Sequence, residues 1–191
     1  LALYGELEQR DRDQILARFA NKSTTVLVAT DVAARGLDIK DLDLVINVDV
    51  AHDPEIHIHR IGRTGRGDKH GLALTLVSPS DARRASAVEE YQKAPLIWGE
   101  VSELKPAPGG PLLPPMLTLE IGGGKRDKLR PGDILGALTG EGGIAGSQVG
   151  KIMVFEFCTF VALERGIAQQ AMERLSVGKI KAKSYKMRFV S

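Results

Sequence analysis

Three arginines fall within seven residues in the octet His59-Arg60-Ile61-Gly62-Arg63-Thr64-Gly65-Arg66, with glycines between them and little bulk. Such a segment is poor core material, and its spacing suits the presentation of fixed positive charge to a phosphate. Taken alone, it reads equally as an arginine-rich helix end that complements the macrodipole. A second segment with chemistry in it is Ala29-Thr30-Asp31-Val32-Ala33-Ala34-Arg35-Gly36-Leu37-Asp38-Ile39. Thr30 ends a strand, Arg35 offers a forked donor, Gly36 permits close backbone approach, and Asp38 can accept from a ribose hydroxyl. Upstream, Gln9 and Arg12 stand three apart at a helix start, where the N-terminus favours anions and Arg12 adds charge. By themselves these two also read as a solvated helix face.

The elements that must position these residues follow from pattern. Asp53 is a good N-cap and Pro54 a good first helical residue, which predicts a helix from Pro54 to about Thr64. Arg60 and Arg63 then share a face, and Gly65 and Gly67 end the helix and throw Arg66 past it. Residues 1–4 read as the end of a strand. Residues 7–20 read as a helix with the apolar stripe Ile15, Leu16, Phe19 and Ala20. The run 24–30 suits a strand covered on both faces, and 42–50 and 72–77 read the same way. A last helix over 80–92 takes Ser80 as its cap, and 96–101 is a candidate final strand. Strands alternating with helices imply a parallel α/β sheet with ligands beyond the strands' carboxyl ends, where 31–38 falls.

Pro106, Pro108, Pro111, Pro114 and Pro115, with Gly109 and Gly110, mark an extended linker near 105–115. Beyond it the order changes. Strand 117–121, a basic loop 122–130, helix 131–138, a glycine-rich turn 140–150, strands 151–155 and 159–163, helix 167–175 and strand 185–190 follow. That βαββαβ order is the split-βαβ, ferredoxin-like arrangement. Its glycines do not form a Gly-x-x-x-x-Gly-Lys-Ser/Thr cradle and read as turns.

Composition describes a globular protein: 43% hydrophobic and 26% charged over 191 residues. The longest apolar stretch, 152–163, is interrupted by Glu156 and is too short to span a bilayer, so no membrane partner is expected. The single cysteine, Cys158, excludes an internal disulfide framework, fits a reducing cytosol and reads as a buried, inert thiol. Residues 1–115 hold 14 Lys and Arg against 17 Asp and Glu, whereas 116–191 hold 12 against 7. The second part is therefore the better candidate for a nucleic-acid surface. His57 and His59 lie on different faces of the expected helix without a third ligand, so no metal site is expected. Trp98, Phe155, Phe157 and Phe160 are read as core. The chain opens at Leu1 without a methionine and is read as a fragment.

Gln9-Arg10-Asp11-Arg12, the 29–39 segment and the octet occur in this order and spacing in DEAD-box RNA helicases, and resemble that family's QxxR motif, motif V and motif VI. The resemblance covers residues 1–105 and implies an N-terminally truncated second RecA-like domain. It implies that Arg63 and Arg66 are arginine fingers reaching the γ-phosphate of an ATP held, with Mg2+, mainly by the first RecA-like domain of the same protein. It further implies that Gly36 and Asp38 contact the ribose side and that Arg60 is structural. Gly5, Gln9, Arg12, Thr30 and Arg35 match positions that grip the RNA backbone. The physics agrees: phosphoryl transfer needs positive charge fixed where negative charge develops, and an arginine finger supplies about 10³–10⁵ in rate. Tyr4 and Glu6 stand where the family often has His and Asp. The chain has no Walker A loop, no Asp-Glu-Ala-Asp box and no Ser-Ala-Thr segment. It is therefore expected to carry half of an ATPase site and not to hydrolyse ATP alone.

The stretches Arg130-Pro131-Gly132-Asp133-Ile134-Leu135-Gly136-Ala137-Leu138-Thr139-Gly140 and Gly178-Lys179-Ile180-Lys181 resemble the divergent, RRM-like RNA-binding domain appended to DbpA-like members of that family. The resemblance covers about 117–190, within a domain of 116–191, and implies a tail that anchors on a 23S ribosomal RNA hairpin in pre-50S particles, in the cytoplasm, during large-subunit assembly. An ordinary RRM stacks bases on its central strands. Here Thr118, Glu156 and Cys158 stand where aromatic or basic residues are usual, with Phe160 kept, so sheet-face stacking is expected to be weak. Basic residues lie at the edges instead: Lys125, Arg126, Lys128 and Arg130 before the first helix, and Lys179, Lys181, Lys183, Lys186 and Arg188 near the end. RNA is expected to bind there through phosphates. The rivals are a non-enzymatic RNA-binding fragment acting through the RRM-like tail, and a superfamily-2 motor acting on DNA.

Overall fold

The computed structural model describes residues 1–34, 39, 41–65, 70–106, 108–140 and 143–190. They fall into two compact units, one of Leu1–Arg35 with Gly110–Ser191 and one of Gly36–Gly109.

In the first unit, β1 (Ala2–Leu3) pairs in parallel with β2 (Val28–Ala29), with Leu3 beside Ala29. Between them runs α1 (Gln9–Ala20), and α2 (Asp31–Ala34) follows β2. The helix α1 starts two residues later than its pattern predicts. Its buried residues are Ala17 and Arg18, whereas Ile15, Leu16 and Phe19 of the expected stripe are half-buried and Ala20 is exposed. The strand β2 is shorter than expected and its described residues are exposed rather than covered on both faces.

The same unit holds the tail: β5 (Met116–Ile121), α5 (Pro131–Thr139), β6 (Val149–Val154), β7 (Thr159–Glu164), α6 (Ala168–Val177) and β8 (Met187–Val190). Between these two stretches, β3 (Leu44–Asn47), α3 (Pro54–Ile61), β4 (Leu72–Thr75) and α4 (Ala82–Gln92) belong to the second unit. The tail is the expected βαββαβ, an antiparallel four-stranded sheet in the order β6-β7-β5-β8. Alternation along the strands sorts the residues. Leu119, Ile121, Val161 and Leu163 face α5 and α6, where Ile134, Leu138, Ala171 and Leu175 complete a core with Ile180. Thr118, Glu120 and Phe160 occupy the opposite face, and all three are buried.

What buries them is α1. Ala17 packs with Phe160 and Val190 in a second apolar cluster bordered by Met153, Phe155 and Cys158. Beside it, the Ser23 and Thr118 hydroxyls meet at 2.6 Å in a buried contact. At the other edge Glu120, its side chain 8% exposed, accepts from Arg188 Nε at 2.7 Å and also faces Arg10 at 3.7 Å. A carboxylate this buried persists only because it is paired.

In the second unit, β3 (Leu44–Asn47) and β4 (Leu72–Thr75) pair in parallel, Leu44 beside Leu72 through Asn47 beside Thr75. The helices α3 (Pro54–Ile61) and α4 (Ala82–Gln92) accompany them. Val50, Ala51, Ala85 and Val88 are buried there, together with His57. Ser80 does not cap α4: a 3-10 turn over Pro79–Asp81 precedes it, and Ser78 donates to Asp81 instead. No strand forms over 96–101, where an irregular stretch leads to a 3-10 turn at Val101–Glu103.

Candidate nucleic-acid interface

The arginine octet is built from a well-capped helix. The Asp53 carboxylate accepts from Glu55 N at 2.8 Å and Pro54 takes the first helical position, as their types require. The helix ends at Ile61, with Gly62 as C-cap, three residues short of the expected end. Arg60 therefore sits in the last helical turn, while Arg63 lies in the turn beyond and does not share a helical face with it. The reason is tertiary: Leu42 N donates to Arg63 O at 3.0 Å, and the Thr64 hydroxyl donates to Leu42 O, pulling the chain off the helix beside β3. Arg60 donates to Asp49 O at 2.9 Å and lies 3.8 Å from the Asp49 carboxylate, which ties α3 to the loop after β3. Arg63 is half-buried on a turn whose backbone is fixed. Burial, and then the charge of Arg60, push the His57 pKa below its ordinary value.

At the carboxyl ends of β1 and β2 the structure gathers Gly5, Arg12 and Thr30. Thr30 N donates to Leu3 O at 3.1 Å, which sets it beside the loop that carries Gly5. Arg12 reaches from α1 to Tyr4 O at 3.5 Å and Ala33 O at 3.2 Å, clasping the segments that follow the two strands. Gly5 and Thr30 are exposed. Gln9 opens α1, is exposed, and donates to Asp13 Oδ1 at 2.7 Å, so it is held on its own helix. Arg35, Gly36, Asp38 and Arg66 lie outside the described residues.

The tail's two basic stretches converge. Lys125–Asp127 form a 3-10 turn, after which Lys128 takes a left-handed conformation with φ 58°. From the other stretch Lys181 Nζ donates to Lys128 O at 3.0 Å and lies 3.5 Å from Asp133 Oδ2. Asp133 also accepts from Arg130 N at 2.8 Å, so one carboxylate braces the start of α5 and the approaching lysine. Lys125, Arg126, Lys128, Arg130, Lys179, Lys181 and Lys183 are all exposed. The turn is pinned at Gly123 and Gly124. A Cβ on Gly123 would stand 2.4 Å from the Tyr185 ring, and one on Gly124 would stand 2.4 Å from Phe155 O.

Three sequence expectations are corrected here. Arg188 is not a spare cation of the basic edge, because it is spent on Glu120. Phe157 and Trp98 are not core: they are 64% and 62% exposed. Cys158, expected to be buried, is half-buried in the turn after β6, and burial, then the Glu120 charge, push its thiol pKa up. The sequence carried no signal for the exposure of Phe157, since strand alternation would put Phe155 and Phe157, two residues apart, on one face; it is the end of β6 at Val154 that separates them. Among the described residues no group of three or more His, Cys, Asp and Glu is placed to hold a metal, and no helix is long and apolar enough to cross a membrane.

Comparison with known proteins matches both parts. The helicase conserved C-terminal domain model matches residues 1–68, and the DbpA RNA binding domain model matches residues 118–189. The chain is 50% identical over 192 residues to the ATP-dependent RNA helicase DbpA of Escherichia coli, which covers all of this chain and 41% of that protein. It is 28% identical over 205 residues to DbpA of Bacillus subtilis, covering 97% of this chain and 43% of that one. The chain thus spans about two-fifths of the length of these relatives. Among solved structures, the E. coli DEAD-box protein SrmB, bound to regulator of ribonuclease activity A, matches with TM-score 0.50 and 38% identity. That match covers 58% of this chain and 65% of the chain in that structure. By these matches the chain belongs to the DEAD-box RNA helicases, in the part that joins the helicase C-terminal domain to a DbpA-type RNA-binding domain.

Proposed function

We propose that the chain serves an ATP-dependent RNA helicase acting on 23S ribosomal RNA in the assembly of the large ribosomal subunit, in the cytoplasm. In this reading residues 1–105 are the second RecA-like domain, 106–115 a linker and 116–191 the anchor to an rRNA hairpin in pre-50S particles. Arg63 and Arg66 act as fingers on an ATP·Mg2+ held mainly by the first RecA-like domain. Arg63 fits that use, since it stands half-buried on a turn braced by Leu42, just before β3. Gly36 and Asp38 serve the ribose side. Gly5, Gln9, Arg12, Thr30 and Arg35 hold the RNA backbone without reading sequence. The 191-residue chain does not hydrolyse ATP by itself, because it has no Gly-Lys-Thr loop and no Asp-Glu-Ala-Asp box.

The observation that carries this reading is the convergence of 125–130 with 179–183, sealed by Lys181 on Lys128, while α1 closes the tail's sheet face. Positive charge is left at an edge, where phosphates can reach it. The test is a titration of the chain with a large-subunit rRNA hairpin and with an unrelated hairpin of equal length. The reading expects tighter binding to the rRNA hairpin, weakened by charge reversal at Lys125 and Arg126. Equal affinity for both hairpins refutes specific anchoring, and RNA-stimulated ATP turnover by the chain alone refutes the half-site.

A further inference from the structure

The turn from β6 to β7 treats its two phenylalanines oppositely. Phe155 turns inward and meets Phe160 edge to face, with ring centroids 5.6 Å apart. Phe157 turns outward and leaves 64% of its surface in solvent. The Arg126 guanidinium lies over the Phe157 ring, 4.7 Å from its centroid, and is steadied by Glu156 at 3.6 Å. The backbone of Arg126 is anchored to the residues just before Phe157: Arg126 N donates to Glu156 O at 3.1 Å and the adjoining Lys125 N to Phe155 O at 2.9 Å. An aromatic ring and a planar cation are thus held together, ready-made, at an exposed hairpin tip.

Flat π surface with a cation against it is what an unstacked nucleobase seeks. A phosphate is the poorer guest, because the Glu156 carboxylate beside Arg126 offsets its charge. Lys125 and Lys128 stand close by in sequence, on the turn hydrogen-bonded to this hairpin, and are exposed to the backbone of the same strand. We propose that Phe157 with Arg126 is a stacking seat for one unpaired base of an RNA strand whose phosphates lie on the neighbouring lysines. This deepens, and rests on, the reading of the tail as an RNA-binding domain.

The experiment titrates the 191-residue chain with fluorescein-labelled decaadenylate and with a blunt RNA duplex of ten base pairs, over a series of salt concentrations. Phe157→Ala should weaken decaadenylate binding about tenfold, and Phe157→Tyr should retain it. Loss of stacking releases no counterions, so the slope of log Kd against log salt should not change for Phe157→Ala. For Lys125→Ala it should fall by about 0.7. Duplex binding should be indifferent to Phe157. The seat is refuted if Phe157→Ala binds decaadenylate like the unaltered chain, if Phe157→Tyr loses as much, or if the duplex suffers equally. Failure of the unaltered chain to bind either RNA overturns the RNA-binding reading along with it, whereas binding that ignores Phe157 overturns the seat alone. The side chain is solvated, so circular dichroism of Phe157→Ala should match that of the unaltered chain.

Discussion

The seat of α1 on the tail's sheet can be tested through one pair of hydroxyls. A hydroxyl has one proton. Ser23 Oγ donates to Arg18 O at 3.0 Å, so the 2.6 Å contact with Thr118 must be donated by Thr118 and accepted by Ser23. The two deletions are then unequal. Thr118→Val removes the donor and leaves the Ser23 bond to Arg18 intact, a loss of about 1 kcal/mol. Ser23→Ala strands a donor on Thr118, which is 0% exposed, and should cost about 2 kcal/mol. Arg18 O keeps a partner in either case, since Ser23 N also donates to it at 3.0 Å. With both changes no hydroxyl is left wanting, so the double variant should cost about 2 kcal/mol, giving a coupling of about 1 kcal/mol. For a unit of this size Thr118→Val should lower the melting temperature by about 5 °C and Ser23→Ala by about twice that. Denaturation of the four proteins followed by circular dichroism supplies the cycle. Additive losses, or a Thr118→Val loss as large as that of Ser23→Ala, would mean that the hydroxyls do not meet and α1 is not seated there.

Two further perturbations follow from the geometry. His57 has a folded-state pKa below its ordinary value near 6.5, so the unfolded chain binds more protons between the two. Its contribution is fully present above about pH 6.5 and is lost as pH falls through the folded value. Urea titrations should therefore show stability declining on acidification through that window, less steeply in His57→Leu; identical slopes would refute the assignment. Gly124→Ala would set a Cβ 2.4 Å from Phe155 O and 2.7 Å from Glu156 O, both backbone atoms that cannot yield cheaply. A loss of about 2 kcal/mol or more is expected, with weaker RNA binding as the 125–128 turn is displaced; a neutral melting temperature would contradict it.

Much of the chain was legible because local rules agreed with the fold. Asp53 and Pro54 start α3 where their types demand, and Pro131 starts α5 with Asp133 reaching back to Arg130 N. The βαββαβ order of the tail was visible in alternating apolar runs, since its strands pack one face on two helices. Errors came where a distant residue overrode local preference. The α3 helix stops at Ile61 because Leu42, far away in sequence, claims Arg63 O and the Thr64 hydroxyl. Arg188 looked like one more cation of a basic edge until pairing across the sheet set it against Glu120.

Residue type and spacing alone marked which segments of this chain are candidates for binding phosphate, the octet 59–66 and the basic stretches of the tail. Arginines separated by glycines, and lysines clustered outside the apolar pattern, are poor core material and leave fixed positive charge at the surface. Tertiary structure alone decided which of those charges are available. Pair formation depends on angstrom-scale distances between residues far apart in sequence, as Arg188 with Glu120 and Lys181 with Lys128 demonstrate. It also decided which aromatic is core and which is surface, because a hairpin tip turns Phe155 inward and Phe157 out to solvent under Arg126.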